Sequence, residues 1–168
     1  MSICARLLLL ATLVAVPACG DSDPSNVAGS YTISVTNRAN GCKFANWTEG
    51  QSTQGIMATV SQEGSTVSVS FSGGTATFLD FAFGSHVMSG DVSGSSIDAT
   101  LFGMRQLTMG GCSYTINGVM DGHLLGDTLT GELDYTAKTN GHPDCSAMMI
   151  ERCHSIQAFN GTRPPPAQ

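Results

Sequence analysis

Ser113-Tyr114-Thr115-Ile116-Asn117-Gly118-Val119-Met120, followed after Gly126-Asp127 by Thr128-Leu129-Thr130-Gly131-Glu132-Leu133-Asp134-Tyr135, is the stretch on which the fold turns. Tyr114, Ile116, Gly118 and Met120 alternate with Ser113, Thr115, Asn117 and Val119. Leu129, Gly131, Leu133 and Tyr135 alternate in the same way with Thr128, Thr130, Glu132 and Asp134. A period of two with one apolar set is that of a strand buried on one face, and two such runs joined by Gly-Asp read as an antiparallel hairpin. Gly118 and Gly131, inside the strands, predict bulges or sharp coiling that curl the sheet on itself.

The same period extends outward in both directions. Val27, Gly29, Tyr31, Ile33 and Val35 mark a first strand. Ile56, Ala58 and Val60 pair as a hairpin with Val67, Val69 and Phe71 across Glu63-Gly64-Ser65. After Gly73-Gly74 the run 75–83, with Phe78, Leu79, Phe81 and Phe83, is apolar on both faces and is grouped with the strands. Alternation resumes over 86–93, turns at Gly94-Ser95-Ser96, and continues through Ile97, Ala99 and Leu101. Residues 103–111 are irregular, and 154–159 form a last strand. Eight or nine strands with short turns and no long helical period predict an all-β fold: an antiparallel up-and-down β-barrel of about eight strands, with a β-sandwich as the alternative. Outward faces of Ser, Thr and Asp suit water rather than lipid, which argues against an outer-membrane barrel.

Gly29-Ser30-Tyr31 on the first strand resembles the opening of the lipocalin-like and avidin-like small barrels, which begin with Gly, any residue, then an aromatic. That resemblance implies a carrier of a small apolar ligand.

The chain opens with Arg6 and the free amine as a positive region. An apolar run of about ten residues, Leu7 to Val16, and the small-residue approach Val16-Pro17-Ala18 follow. The run is shorter than the roughly 20 residues of a membrane-spanning helix. With Ala18-Cys19 at its end, this segment resembles the leader of bacterial lipoproteins. The resemblance implies removal of a signal peptide over 1–18, lipidation of Cys19, and an exported protein anchored in the cell envelope; Gly20 after the cysteine points to the outer membrane. An ordinary secretory signal cut at the same bond is the alternative. Residues 19–26 then form a lipidated N-terminus with a polar tether, 27–161 a single β domain, and 162–168 a Pro-rich tail.

Without Arg6, six basic residues face 13 acidic ones. Such a balance argues against nucleic acid and anionic headgroups, because phosphate binding needs clustered Lys and Arg. In an oxidising compartment Cys42, Cys112, Cys145 and Cys153 are an even set that should form two disulfides, with three pairings open. The shortest loop favours Cys145 with Cys153, leaving Cys42 with Cys112; Cys145 and Cys153 then demand a fold-back between them, although 147–152 taken alone favours a helix.

No catalytic or cofactor motif stands out. His142, Cys145, Cys153 and His154 nominally assemble a metal set, but cysteines paired in an oxidising compartment are not ligands and the spacing matches no zinc pattern, so neither metal nor cofactor is expected. Asp80 with His86, or Asp134 with His123, are the acid–base pairs one could draw, yet no serine lies in a recognisable nucleophile setting. The expectation is therefore a binding or interaction module and not an enzyme. Trp47, in the long loop 37–54, and Phe78, Phe81 and Phe83 are the aromatics placed to line a barrel mouth, as contacts for a small apolar ligand or an envelope protein.

Overall fold

The computed structural model describes residues 23–164. The expected signal peptide, Cys19 and the end of the Pro-rich tail lie outside these residues. The elements are β1 (Gly29–Asn40), β2 (Ser52–Glu63), β3 (Thr66–Phe71), α1 (Gly73–Phe83), β4 (Val87–Ser93), β5 (Ser96–Leu101), β6 (Leu107–Met109), β7 (Cys112–Leu125), β8 (Thr128–Thr139), α2 (Pro143–Ala147) and β9 (His154–Thr162). Every strand pairs antiparallel with its neighbour, in the order β5-β4-β3-β2-β1-β9-β8-β7, and β5 pairs again with β7, closing eight strands into a barrel. β6 is an extra strand on the upper part of β7. No helix among the described residues is long and apolar enough to cross a membrane.

The hairpin of β7 and β8 runs in unbroken register from Tyr114 opposite Thr139 to Leu125 opposite Thr128. Ile116, Met120, Leu129 and Leu133 face the core as their alternation requires. Gly118 and Gly131 do not make the predicted bulges. They make room for rings. A Cβ on Gly118 would lie 3.3 Å from the Tyr135 ring, and one on Gly131 would lie 2.8 Å from the tip of Phe159 and against the Asp121 carbonyl. Gly122, directly opposite Gly131, clears the same ring. The register breaks fall instead in β1, between Ile33 and Val35 against β2 and between Asn37 and Asn40 against β9. An eight-stranded barrel is just wide enough to be filled by its own side chains, and here Tyr31, Val69, Ile97, Met120, Leu129 and Phe159 fill it.

Residues 75–83 correct the sequence reading, for they are helical. An apolar run without alternation fits a half-buried helix as well as a buried strand. Gly73 at φ 64° and Gly84 in the left-handed region at φ 86° frame it, with the Gly84 N–H donating to the Asp80 carbonyl. Leu79 and Phe83, four apart on one helix face, are buried.

The disulfide pairing is corrected as well. Cys42 bonds Cys153 and Cys112 bonds Cys145, with Cα separations of 4.6 and 5.0 Å. Closure is the physical reason. Because β9 pairs with β1, the start of β9 lies beside the end of β1: the Gly41 N–H donates to the His154 carbonyl and the Cys42 N–H to Ser155 Oγ. Cys153 therefore meets Cys42. Cys145 sits in α2, which is held on β7 by the Gly111 N–H donating to Asp144 Oδ2, and there it meets Cys112. Between Cys145 and Cys153 the chain runs through α2 and a turn in which Met149 takes φ 59°, and the fold-back expected from a bond between them loses its ground with that bond.

Candidate functional site

The two ends of the barrel differ in construction. At the end carrying the β2–β3, β4–β5 and β7–β8 turns, the chain enters through Val27, which is wholly buried, and leaves through Arg163. The Arg163 guanidinium donates to Asp127 Oδ1 at 3.0 Å and to the carbonyls of Asn26 and Ala28, and lies 5.9 Å over the Tyr31 ring. Tyr31 donates its hydroxyl to the Val27 carbonyl at 2.8 Å. Burial raises the Tyr31 phenol above its ordinary value, with Arg163 acting in the opposite sense. Both ends of the described segment are clamped here and this end is shut.

The opposite end holds the loop 41–51, α1, the segment 102–111 and the α2 region, together with both disulfides. Tyr135, on β8, is its centre. Phe83 stacks on Tyr135 with centroids 5.7 Å apart, while Phe44 and Trp47 meet its ring edge-on at 6.0 and 6.2 Å. The Tyr135 hydroxyl donates to Gln157 Oε1, and Gln157 Nε2 donates to Asn37 Oδ1. Burial drives the Tyr135 phenol far above its ordinary value. Trp47 is held by its indole N–H, which donates to the Arg38 carbonyl at 2.9 Å.

The four aromatics singled out in the sequence thus split into two pairs. Trp47 and Phe83 converge on Tyr135 and plug the mouth. Phe78 and Phe81 point outward from α1, 62% and 67% exposed. Phe102 and Met104, at 64% and 68%, are likewise exposed on the segment that follows β5. Arg105 lies 4.5 Å over the Phe81 ring and donates to the Phe81 carbonyl. The N–H groups of Met104 and Arg105 donate to the Phe83 carbonyl, which fastens this segment to the end of α1. Sequence reading passed over Phe44 and Phe102. Phe102 had a signal, because it follows the inward Leu101 and so puts a large apolar residue on the outward side of a strand end.

Charge is distributed unevenly. Arg38, Lys43, Arg105, Lys138 and Arg152 all lie at the loop end, where Glu49, Asp80, Asp134, Asp144 and Glu151 accompany them. On the flank, Asp91 stands opposite Asp98, Asp98 opposite Asp121, and Asp121 opposite Glu132, a row of carboxylates across four strands.

Of the acid–base pairs drawn from the sequence, Asp80 and His86 do meet, at 2.8 Å. Asp134 is taken by His154 at 2.8 Å, not by His123, which lies 3.1 Å from Ser95 Oγ near the closed end. Among the described residues no histidine joins an acid to a hydroxyl, and no three His, Cys, Asp or Glu side chains converge as a metal site would require. Two open depressions mark the surface. One, of about 520 Å³, lies beside Lys43, Met149 and Arg152, and the other, of about 380 Å³, lies on the outer face of β1, β2 and β9. Neither is lined by α1 or by Tyr31 or Tyr135. No family model, curated protein or solved structure matches this chain.

Proposed function

We propose that the protein is an exported, lipid-anchored envelope protein whose barrel is an interaction module that binds through its loop end. One observation carries this reading: the closed end clamps both chain ends, whereas the loop end combines disulfide-stapled loops, exposed aromatics and nearly all of the basic side chains. A rigid scaffold that presents loops at the end away from its tether is the usual arrangement of a binding protein. The resemblance of Gly29-Ser30-Tyr31 to lipocalin-like barrels supports a second reading, a carrier of a small apolar ligand. Against it stand the side chains that fill the interior and the plug of Trp47, Phe83 and Tyr135.

Two measurements test the proposal. Metabolic labelling with a fatty-acid analogue should mark the native protein and not a Cys19→Ser variant; an unlabelled native protein removes the anchor. A photoreactive residue at Phe81 should give cross-linked products in intact cells, and one at Leu125, exposed at the closed end, should give none. Equal products from both positions would remove the loop end as the binding end.

A further inference from the structure

α1 has a composition at odds with its position. Its sequence, Gly-Gly-Thr-Ala-Thr-Phe-Leu-Asp-Phe-Ala-Phe, carries one charged residue in 11, and a helix apolar nearly all round is normally buried all round. Only the Leu79 and Phe83 side is covered here. Phe78 and Phe81, three apart, share the outer side. Arg105 on Phe81, and Met104 against the position a Gly84 Cβ would occupy at 3.2 Å, join the 102–105 segment to the same face.

We propose that this outer face of α1, with Phe102 and Met104, is a bilayer-docking surface that inserts its side chains into the interfacial zone of a lipid membrane. Three observations select a bilayer over other occupants. The face protrudes: the Phe78 and Phe81 side chains stand largely exposed, and neither of the two depressions described above is lined by them. Its apolar area, on the order of 500 Å² for three rings and a thioether each about two-thirds exposed, is at the upper end of what a monomer leaves open. That is also below the roughly 800 Å² per partner of a stable pair, so a second copy is not adequately held. A bilayer needs neither a matching concavity nor that area, because it takes protruding Phe and Met side chains individually.

The charge distribution sets the orientation. The row Asp91-Asp98-Asp121-Glu132 turns the flank away from an anionic surface. The loop end, where five acids are balanced by five cations, is the end that tolerates approach, and the Arg105 side chain can keep its head at the phosphates while its stem lies on Phe81. This proposal departs from the expectation from overall composition, which argues against anionic headgroups, because net charge does not say where the cations sit. The proposal deepens the reading of the loop end as the binding end; because the chain enters at the closed end, the bilayer engaged is one that faces the loop end and not the one that would hold Cys19, and lipid at Cys19 is not required.

The test uses the domain from residue 23 onward with its disulfides intact. Its core and both clamps lie within 25–163, so it is expected to fold without the leader. Flotation with vesicles of phosphatidylcholine and phosphatidylglycerol should carry the native domain upward, with only partial loss in high salt, since apolar insertion dominates. Phe78→Ser/Phe81→Ser should weaken partitioning at least about tenfold. Met104→Gln, at a side chain 68% exposed whose backbone hydrogen bond the substitution keeps, serves as a second variant and should also reduce flotation. A native domain that stays with the soluble fraction overturns the proposal, as does flotation unchanged in both variants. Dimerisation abolished by Phe78→Ser/Phe81→Ser, without flotation, assigns the face to a second copy and overturns it too. Protein adducts from the Phe81 cross-linker, together with failed flotation, leave the loop end as the binding end and remove only the bilayer.

Discussion

At the scale of single residues, the interior is decided by where glycine stands opposite a ring. Phe159 occupies volume that would otherwise hold two side chains, and it can do so because Gly122 and Gly131 face each other across β7 and β8. A methyl at Gly131 meets both the ring and the Asp121 carbonyl, and backbone cannot retreat as a side chain can. Gly131→Ala should therefore destabilise by about 3 kcal/mol. A methyl at Gly118 meets only Tyr135 carbons at 3.3 and 3.4 Å, and the loss of unfolded-state freedom offsets the crowding. Gly118→Ala should stay within about 1 kcal/mol of the parent in urea denaturation. Tyr135 supplies a pH test. Its phenol is raised in the folded protein and ordinary, near 10.0, when unfolded. Above pH 10 the unfolded chain sheds a proton that the folded one keeps, so stability falls as pH rises, whereas below pH 10 the group has no effect. Tyr135→Phe should flatten the decline of stability above pH 10, leaving the smaller contribution of Tyr31. An equally steep decline in the variant would mean that the Tyr135 hydroxyl is solvated. The sequence placed Gly118, Gly131 and Tyr135 on the inward face; it was silent on which of them makes room for which ring, because for Gly131 that depends on Phe159 in β9, nearly thirty residues away.

At the scale of elements, strands were legible and α1 was not, for one reason. Alternation reports a boundary between core and water, and wherever a strand has such a boundary, as in β1, β2, β7 and β8, the inward set is readable from the sequence. The run 75–83 has apolar residues on both faces, so its period carries no information. Only Gly73 and Gly84, which here accept positive φ at the two ends of a helix, held a hint. The outward faces held a second pattern that no single strand reveals. Asp91, Asp98, Asp121 and Glu132 look like ordinary surface acids in sequence, and become a row only when four strands fall into register. Like charges directly opposite one another are unfavourable in a sheet. Asp98, with an acid on each side, bears two such contacts, so Asp98→Asn should stabilise by about 0.5 kcal/mol. The native domain should gain stability with added salt more than this variant does, because screening relieves the same repulsion. A thermal melt of both proteins at low and high salt checks it. An Asp98→Asn melt lower than the parent at low salt would mean that the row is held by something other than its own geometry.

At the scale of the whole molecule, the element hardest to foresee was closure itself. Strand count and turn spacing left barrel and sandwich both open, since either is built from the same hairpins. What separates them is that β9 returns to β1 while β5 reaches past β6 to β7. The same closure overturned the expected disulfides: loop length favours Cys145 with Cys153, but a barrel puts the start of its last strand beside the end of its first. The two bonds consequently staple different things. Cys42–Cys153 spans 111 residues and locks the seam at which the chain's two halves meet, whereas Cys112–Cys145 spans 33 and fastens α2 to the start of β7. In the chain-entropy description, stabilisation grows with the logarithm of the loop, so the first bond contributes about 5 kcal/mol and the second about 4. Cys42→Ala/Cys153→Ala should accordingly lower stability by about 1 kcal/mol more than Cys112→Ala/Cys145→Ala. The difference should be larger still if the open seam lets β1 and β9 part, because the hydrogen bonds from Gly41 and Cys42 to His154 and Ser155 depend on the same junction. Peptide mapping without reduction should recover Cys42 linked to Cys153 and Cys112 linked to Cys145. Urea titrations of the two double variants should rank them in that order. Recovery of a Cys145–Cys153 linkage from the oxidised protein would contradict the closure of β9 on β1, and with it the geometry of the loop end.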